Sequence, residues 1–221
     1  MALTEKRRGE GAEESGGWRR MAGTATRRMQ KELREVTSSN EARAMGLKLT
    51  ANEGNLQSVV GEVRGPPDTP FADGIYKIAI TIPDTFPFDP PQAKFATKIW
   101  HPNVSSATGL ICLDILKNGE GGRWTPSMSL RSVLVSIIAL LNSPEPNDPQ
   151  DAVVASQMLN RNDIYKATAR TWAQEYANAP GNIETLHRNA IESLVSINID
   201  RSRALTNLSI CDWDVDKARV Y

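Results

Sequence analysis

His101-Pro102-Asn103-Val104-Ser105-Ser106-Ala107-Thr108-Gly109-Leu110-Ile111-Cys112-Leu113-Asp114-Ile115-Leu116 holds one of the two cysteines and one of the two histidines in a 221-residue chain. They surround a turn-forming Pro102-Asn103 and a Gly109 that lets the backbone bend. A thiol set between apolar residues after such a loop suits a nucleophile. It equally suits a small core hydrophobe.

Composition narrows the partners. Lys plus Arg is 26 and Asp plus Glu is 26, so no net charge points to nucleic acid or an anionic membrane. No stretch approaches the run of about 18 apolar residues that spans a bilayer, and the first twenty residues are charged rather than signal-like. The expectation is a cytoplasmic or nuclear protein. Two cysteines about a hundred positions apart make no disulfide framework, and with two histidines lacking ligand spacing they make no metal site. Both thiols are expected to be reduced.

Residues 1–22 mix Arg, Lys, Glu and Gly without a period and read as a flexible extension, with Met21 as an alternative start. From Thr24 the pattern is helical, with Met29, Leu33 and Val36 on one face and Arg27, Arg28, Lys31 and Arg34 on the other; Thr24 and Thr26 are candidate N-caps. Strand patterns follow over 46–50, 56–64, 75–82 and 92–97. The third alternates Tyr76, Ile78, Ile80 and Ile82 with Ile75, Lys77, Ala79 and Thr81. Proline-rich turns at 65–70 and 83–91 separate them, so the strands read as an antiparallel meander.

Beyond Leu116, residues 117–123 contain Gly119, Gly121 and Gly122 and look like a mobile loop inserted beside the cysteine. A helix with Leu130, Val133, Leu134, Ile137, Ile138 and Leu141 facing a core comes next, then a loop over 142–149 with three prolines. Helices fit 151–159 and 163–176, and 178–182 reads as a short linker. The last forty or so residues fit a three-helix bundle, with Ile191, Leu194 and Val195 on one helix, Ala204, Leu205 and Leu208 on a second, and Trp213, Val215 and Ala218 on a third. The organisation is thus an extension (1–22), a main domain (23–178) and a small terminal domain (183–221).

His101-Pro102-Asn103 with Cys112 nine residues after Asn103 resembles the active-site signature of the ubiquitin-conjugating enzymes. The likeness covers 24–178 and extends to Gly-Pro-Pro-Asp-Thr-Pro-Phe (65–71), Thr-Phe-Pro-Phe-Asp-Pro-Pro (85–91), Trp100, Trp-Thr-Pro-Ser (124–127) and Pro-Glu-Pro-Asn-Asp-Pro (144–149). It implies an α+β fold, a four-stranded antiparallel sheet with flanking helices. The terminal segment is similar to a ubiquitin-associated (UBA) domain, carried by one subclass of these enzymes associated with Lys48-linked chains. Its contact loop departs from the usual Met-Gly-Phe by reading Ile197-Asn198-Ile199, and its last helix stops early, so weak ubiquitin binding or none is expected. Asn198 still permits a left-handed turn, and Ile197 and Ile199 either contact ubiquitin or pack the bundle.

The resemblance implies two acyl transfers with no cofactor bound directly, ATP being used by the upstream activating enzyme. Cys112 accepts the C-terminus of ubiquitin as a thioester, and a lysine amine then attacks it; a thiolate is both a good nucleophile and a good leaving group. His101 is read as structural with Pro102, rather than as a general base. Asn103 is the candidate oxyanion donor, or a turn residue bonding its own loop. Ser143 matches the position that orients the incoming lysine, with Asp148 and Asp114 as acidic candidates whose alternatives are helix capping before Asp151 and surface solvation. Docking of the activating enzyme and of ligases carries over to Arg27, Arg28, Lys31, Phe88, Pro126 and Ser127, Phe88 otherwise being buried under its loop. Cys211 reads as packing.

The implied partners are ubiquitin, its activating enzyme, a ligase and protein substrates, with no nucleic acid, no membrane and a monomeric chain. Two other readings stand beside it: a non-catalytic scaffold for ubiquitin or a ligase, which the presence of Cys112 disfavours, and an enzyme for another ubiquitin-like modifier.

Overall fold

The computed structural model describes residues 23–221; the expected extension over 1–22 and the second start at Met21 lie outside them. Met29 and Val36 are buried and Leu33 packs beside them on α1 (Gly23–Ser38). The helix is already formed at Gly23, so Thr24 and Thr26 lie inside it rather than at its N-cap. A short α2 (Asn40–Ala44) follows, too short to show a period, capped by the Ser39 hydroxyl on the Ala42 N–H at 3.1 Å.

The four expected strands form one antiparallel sheet in the order β1 (Lys48–Asn52), β2 (Asn55–Arg64), β3 (Ile75–Thr81), β4 (Gln92–Phe95). Alternation decides the faces: Tyr76, Ile78 and Ile80 of β3 join Val59 and Val63 of β2 under the helices. α3 (Leu130–Asn142) crosses that face with Leu130, Val133, Leu134, Ile137 and Leu141 buried. The approach is close enough that a Cβ on Gly61 would stand 2.7 Å from Leu134 Cδ2, so a larger residue there would push the Leu134 side chain aside.

The start of α3 is held from two sides. Ser129 and Ser132 form a capping box, and the buried carboxylate of Glu32, from α1, accepts the Leu130 N–H at 2.9 Å. A carboxylate is stabilised at a helix N-terminus, and Arg28 Nε balances its charge at 2.6 Å. α4 (Ala152–Asn160) and α5 (Asn162–Tyr176) complete the main domain, α4 being capped by Asp151 itself.

The last segment folds as α6 (Thr185–Val195), α7 (Arg201–Ile210) and α8 (Val215–Val220), with Ile191, Leu194, Ala204, Leu205, Leu208 and Ala218 fully buried. Trp213 is not on the third helix. It sits at a left-handed φ of 69° before α8, stacks on His187 with ring centroids 3.4 Å apart, and donates its indole N–H to Thr168 of α5 at 2.8 Å.

The short linker over 178–182 lies against α5. Arg170 binds the Pro180 carbonyl at 2.6 Å and Gln174 the Asn182 carbonyl at 3.1 Å, strapping the segment along α5. One polar network then joins the two parts. Gln157 of α4 accepts from the Trp100 indole at 2.8 Å and donates to the Ser209 carbonyl at 3.1 Å and to Asp212 at 2.9 Å. Trp172 donates to Ser209 Oγ at 2.8 Å, and Arg161 pairs with Asp212.

Ending the chain at Asn182 removes these partners and uncovers Trp172. At about 1 kcal/mol for each lost hydrogen bond, plus the exposed apolar surface, the melting temperature of the remainder is expected to fall by about 10 °C. An unchanged melting curve for that fragment would show the terminal bundle to be energetically independent.

Candidate functional site

The site grows from the edge of β4. Phe95 donates its N–H to the Gly109 carbonyl at 2.8 Å, which lays the segment after Asn103 along the strand and turns it back at Gly109 (φ 75°). A Cβ there would lie 2.1 Å from the Phe95 carbonyl oxygen, so only glycine fits. Val104 and Ile111 pair across the turn, and the next residue, Cys112, donates its N–H to the Asn103 carbonyl at 3.0 Å. The thiol is half-buried at the rim of this turn, before a single 3-10 turn at Asp114–Leu116.

His101 is wholly buried. Its Nδ1 accepts the Asn103 N–H at 3.1 Å, which leaves Nε2–H to donate to the Leu140 carbonyl at 3.1 Å. Both ring nitrogens are bonded within the chain, so the ring holds the turn and reaches no substrate proton. Burial depresses its pKa from 6.5 to about 4, against the opposing pull of the Leu140 carbonyl.

Below pH about 6.5 the unfolded chain takes up a proton that the folded site refuses until about pH 4. Stability is therefore expected to fall as the pH drops through that window, by on the order of 3 kcal/mol once both values are passed. Ring chemical shifts of His101 should stay those of neutral imidazole down to pH 5. A titration near 6.5 would contradict this.

Asn103 is also buried, and its amide is fully engaged. Nδ2 donates to the carbonyls of Glu145 and Asp148 at 2.9 and 3.0 Å, while Oδ1 accepts the Glu145 N–H at 2.8 Å. In this arrangement the amide bolts the 143–150 loop over the turn, so both donors expected for an oxyanion are already taken. Pro102 supports the same loop through its carbonyl, which accepts from Gln150 and Asp151 at 2.8 and 2.9 Å.

Ser143 caps the end of α3 and is exposed. Asp148 is exposed and is tied to Asn103 through its backbone carbonyl; the cap of α4 is Asp151, whose other oxygen binds Ser106 Oγ at 2.6 Å. Asp114 opens the 3-10 turn and pairs with Arg123 at 3.5 Å. That pair joins other ties at the base of the 117–123 loop. Trp124 N–H binds the Lys117 carbonyl at 3.2 Å and Asn118 binds Asp89 at 2.6 Å, so the loop is closed at its stem and tied to the 83–91 loop.

The two docking loops are tied together by Trp124, and Arg28 ties the second to α1. Phe88 is 69% exposed on a turn beneath which Trp124 donates to the Pro87 carbonyl at 2.8 Å. Pro126 and Ser127 lie exposed beside it. Arg28 departs from expectation: its guanidinium donates to the Pro126 and Met128 carbonyls at 3.2 and 2.6 Å as well as to Glu32, because it is drawn into the joint between α1 and that loop. Arg27 and Lys31 remain exposed on the basic face. In the terminal bundle Asn198 takes the left-handed φ of 70°, Ile197 is exposed and Ile199 half-buried.

Glu32, Asp151 and Gln157 support the site and were missed from sequence. Only Asp151, at a helix start, carried a readable signal. Among the described residues no group of three or more His, Cys, Asp or Glu is placed to hold a metal, and no helix is long and apolar enough to cross a membrane.

An antiparallel meander backed by helices, presenting one half-buried thiol beside a His-Pro-Asn turn, defines a class: enzymes that carry an acyl group on cysteine. Within it, the family model for ubiquitin-conjugating enzymes matches residues 28–173, and the chain belongs to that family. It is 46% identical over 198 residues to ubiquitin-conjugating enzyme E2 K of Homo sapiens, covering 90% of this chain and 96% of the relative. Ubiquitin-conjugating enzyme E2 21 of Caenorhabditis elegans is 41% identical, at 90% and 91% coverage. Among solved structures, the E2 domain of a Toxoplasma gondii ubiquitin conjugating enzyme aligns with a TM-score of 0.62 at 40% identity, covering 69% of this chain and 98% of that one. A Plasmodium yoelii structure described as a putative ubiquitin conjugating enzyme gives 0.65 at 42%, covering 72% and 99%.

Proposed function

We propose that Cys112 receives the C-terminus of ubiquitin as a thioester from the activating enzyme and yields it to lysine amines of substrates or of ubiquitin, Lys48-linked chains included. The observation that carries this is the half-buried thiol, anchored by its own N–H on the Asn103 carbonyl at 3.0 Å and open to solvent at the rim of a braced turn. A thiol needs no neighbouring base for this chemistry, which agrees with a buried His101. Ser143 and Asp148, both exposed, supply polar groups to orient an incoming amine, with Asp114 two residues beyond the thiol in sequence. Phe88, Pro126 and Ser127, with Arg27 and Lys31, form the surface offered to the activating enzyme and to a ligase.

No cofactor is needed on this chain; ATP is spent by the activating enzyme. The thiol must stay reduced, which suits the cytoplasm or nucleus. Of the two isoleucines in its loop only Ile197 is largely exposed, so ubiquitin held by the terminal bundle binds weakly. The test is incubation with ubiquitin, ATP and a ubiquitin-activating enzyme. The expected product is an adduct that reductant removes; no adduct, with the activating enzyme charging a control, favours the scaffold or another modifier.

A further inference from the structure

Three hydroxyl residues stand directly before a proline, the dipeptide that a proline-directed protein kinase reads, and the structure separates them. Thr69 is committed: its hydroxyl donates to the Pro66 carbonyl at 2.7 Å and accepts the Phe71 N–H at 3.3 Å. Ser143 closes the C-terminus of α3, where the last carbonyls carry partial negative charge and repel a phosphate. Thr125 has neither restraint. It is exposed, as are Pro126 and Ser127, and its Oγ1 is partnered at 2.9 Å by the equally exposed Ser127 hydroxyl. A cation also stands at this turn. The Met128 N–H closes it on the Thr125 carbonyl at 2.9 Å, and the Pro126 and Met128 carbonyls hold the Arg28 guanidinium at 3.2 and 2.6 Å.

We propose that Thr125 is a phosphorylation site for a proline-directed kinase, and that the phosphate closes the ligase surface. The Thr125 hydroxyl oxygen attacks the γ-phosphorus of ATP held by the kinase; the new O–P bond forms, the bond from that phosphorus to the β–γ bridging oxygen breaks, ADP leaves, and the hydroxyl proton passes to the kinase. Phosphothreonine carries a charge of about −1.5 to −2 at pH 7. It stands next to Pro126 and Ser127, on a surface whose other anchor is the exposed ring of Phe88, so a ligase packing there must strip water from a dianion. The Arg28 guanidinium at the same turn offsets part of that charge within the chain, and no buried hydrogen bond is lost, so the fold is spared. The supports of the thiol, the Asn103 carbonyl and the 143–150 loop, belong to other segments. The effect on transfer rests on the reading of Phe88, Pro126 and Ser127 as the ligase surface; the place of the modification does not.

The experiment treats the full chain with ATP and a mitogen-activated, proline-directed kinase and maps the phosphate by peptide mass spectrometry, which should find it chiefly on Thr125. The treated chain is then charged with ubiquitin, and single-turnover discharge to free lysine is followed with and without a ubiquitin ligase that accelerates the untreated chain. Ligase-free discharge should stay within about twofold, while the acceleration by ligase should fall about tenfold or more and return after phosphatase. Kinase-treated Thr125→Val should keep the acceleration, and untreated Thr125→Glu should lose part of it. Phosphate on Thr69 or Ser143 but not on Thr125, or an acceleration that survives phosphorylation of Thr125, overturns the proposal alone. An untreated chain that forms no thioester overturns the Cys112 assignment instead, because the mapped phosphate is read independently of it.

Discussion

Replacing Cys112 by serine is expected to abolish the reductant-sensitive adduct and to reduce transfer to lysine by a factor of about 10³ or more. A hydroxyl is a weak nucleophile unless a base takes its proton, and the one histidine of the turn is buried with both nitrogens bonded inside the chain. Whatever adduct the serine forms is an ester, which resists reductant and leaves slowly. Cys211→Ser is the contrasting case. That thiol ends α7, and burial together with the nearby Asp214 charge raises its pKa, so less of it is thiolate. Its loss should leave adduct formation and discharge within about twofold, because Cys211 packs in the terminal bundle away from the turn that carries Cys112. Single-turnover discharge to free lysine checks both, and a reducible adduct persisting in Cys112→Ser would move the reaction to Cys211.

Asn103→Ala should lower stability and transfer together. It removes three hydrogen bonds that bolt the 143–150 loop to the turn. At about 1 kcal/mol each, the cost is roughly 3 kcal/mol, or a melting temperature lower by about 10 °C. Transfer should fall about 10²-fold, as the loop carrying Ser143 and Asp148 loses its position. Hydrogen exchange separates this from a direct oxyanion role, because the Glu145 amide must lose protection if the side chain is a bolt. A slow variant with unchanged melting and unchanged Glu145 protection would instead make Asn103 an oxyanion donor.

Much of the architecture could be read from local pattern because local pattern is what forms it. The alternation from Ile75 to Ile82 places Tyr76, Ile78 and Ile80 on the buried face, and the spacing of Met29, Leu33 and Val36 gives α1 its inner stripe. What failed was what depends on distant neighbours. Arg28 looks like a solvated basic residue until Pro126 and Met128, about a hundred positions away, come within reach of its guanidinium. Trp213 fits a helical pattern with Val215 and Ala218, yet its ring gains more by stacking on His187 and bonding Thr168. The ties of Asn118 and Arg123 to Asp89 and Asp114 likewise cannot be seen along the chain.

The sequence by itself determined the kind of protein this is: the meander and helices through hydrophobic period, the turn through Pro102 and Gly109, and the reactive group through a cysteine at a set distance from His-Pro-Asn. Tertiary structure decided what each polar side chain is used for. A buried donor or acceptor must find a partner, and that partner is supplied by whichever segment folding brings close. Hence Asn103 is committed to the loop that follows α3, Gln157 to the terminal bundle, and Glu32 to the start of a helix 98 residues away.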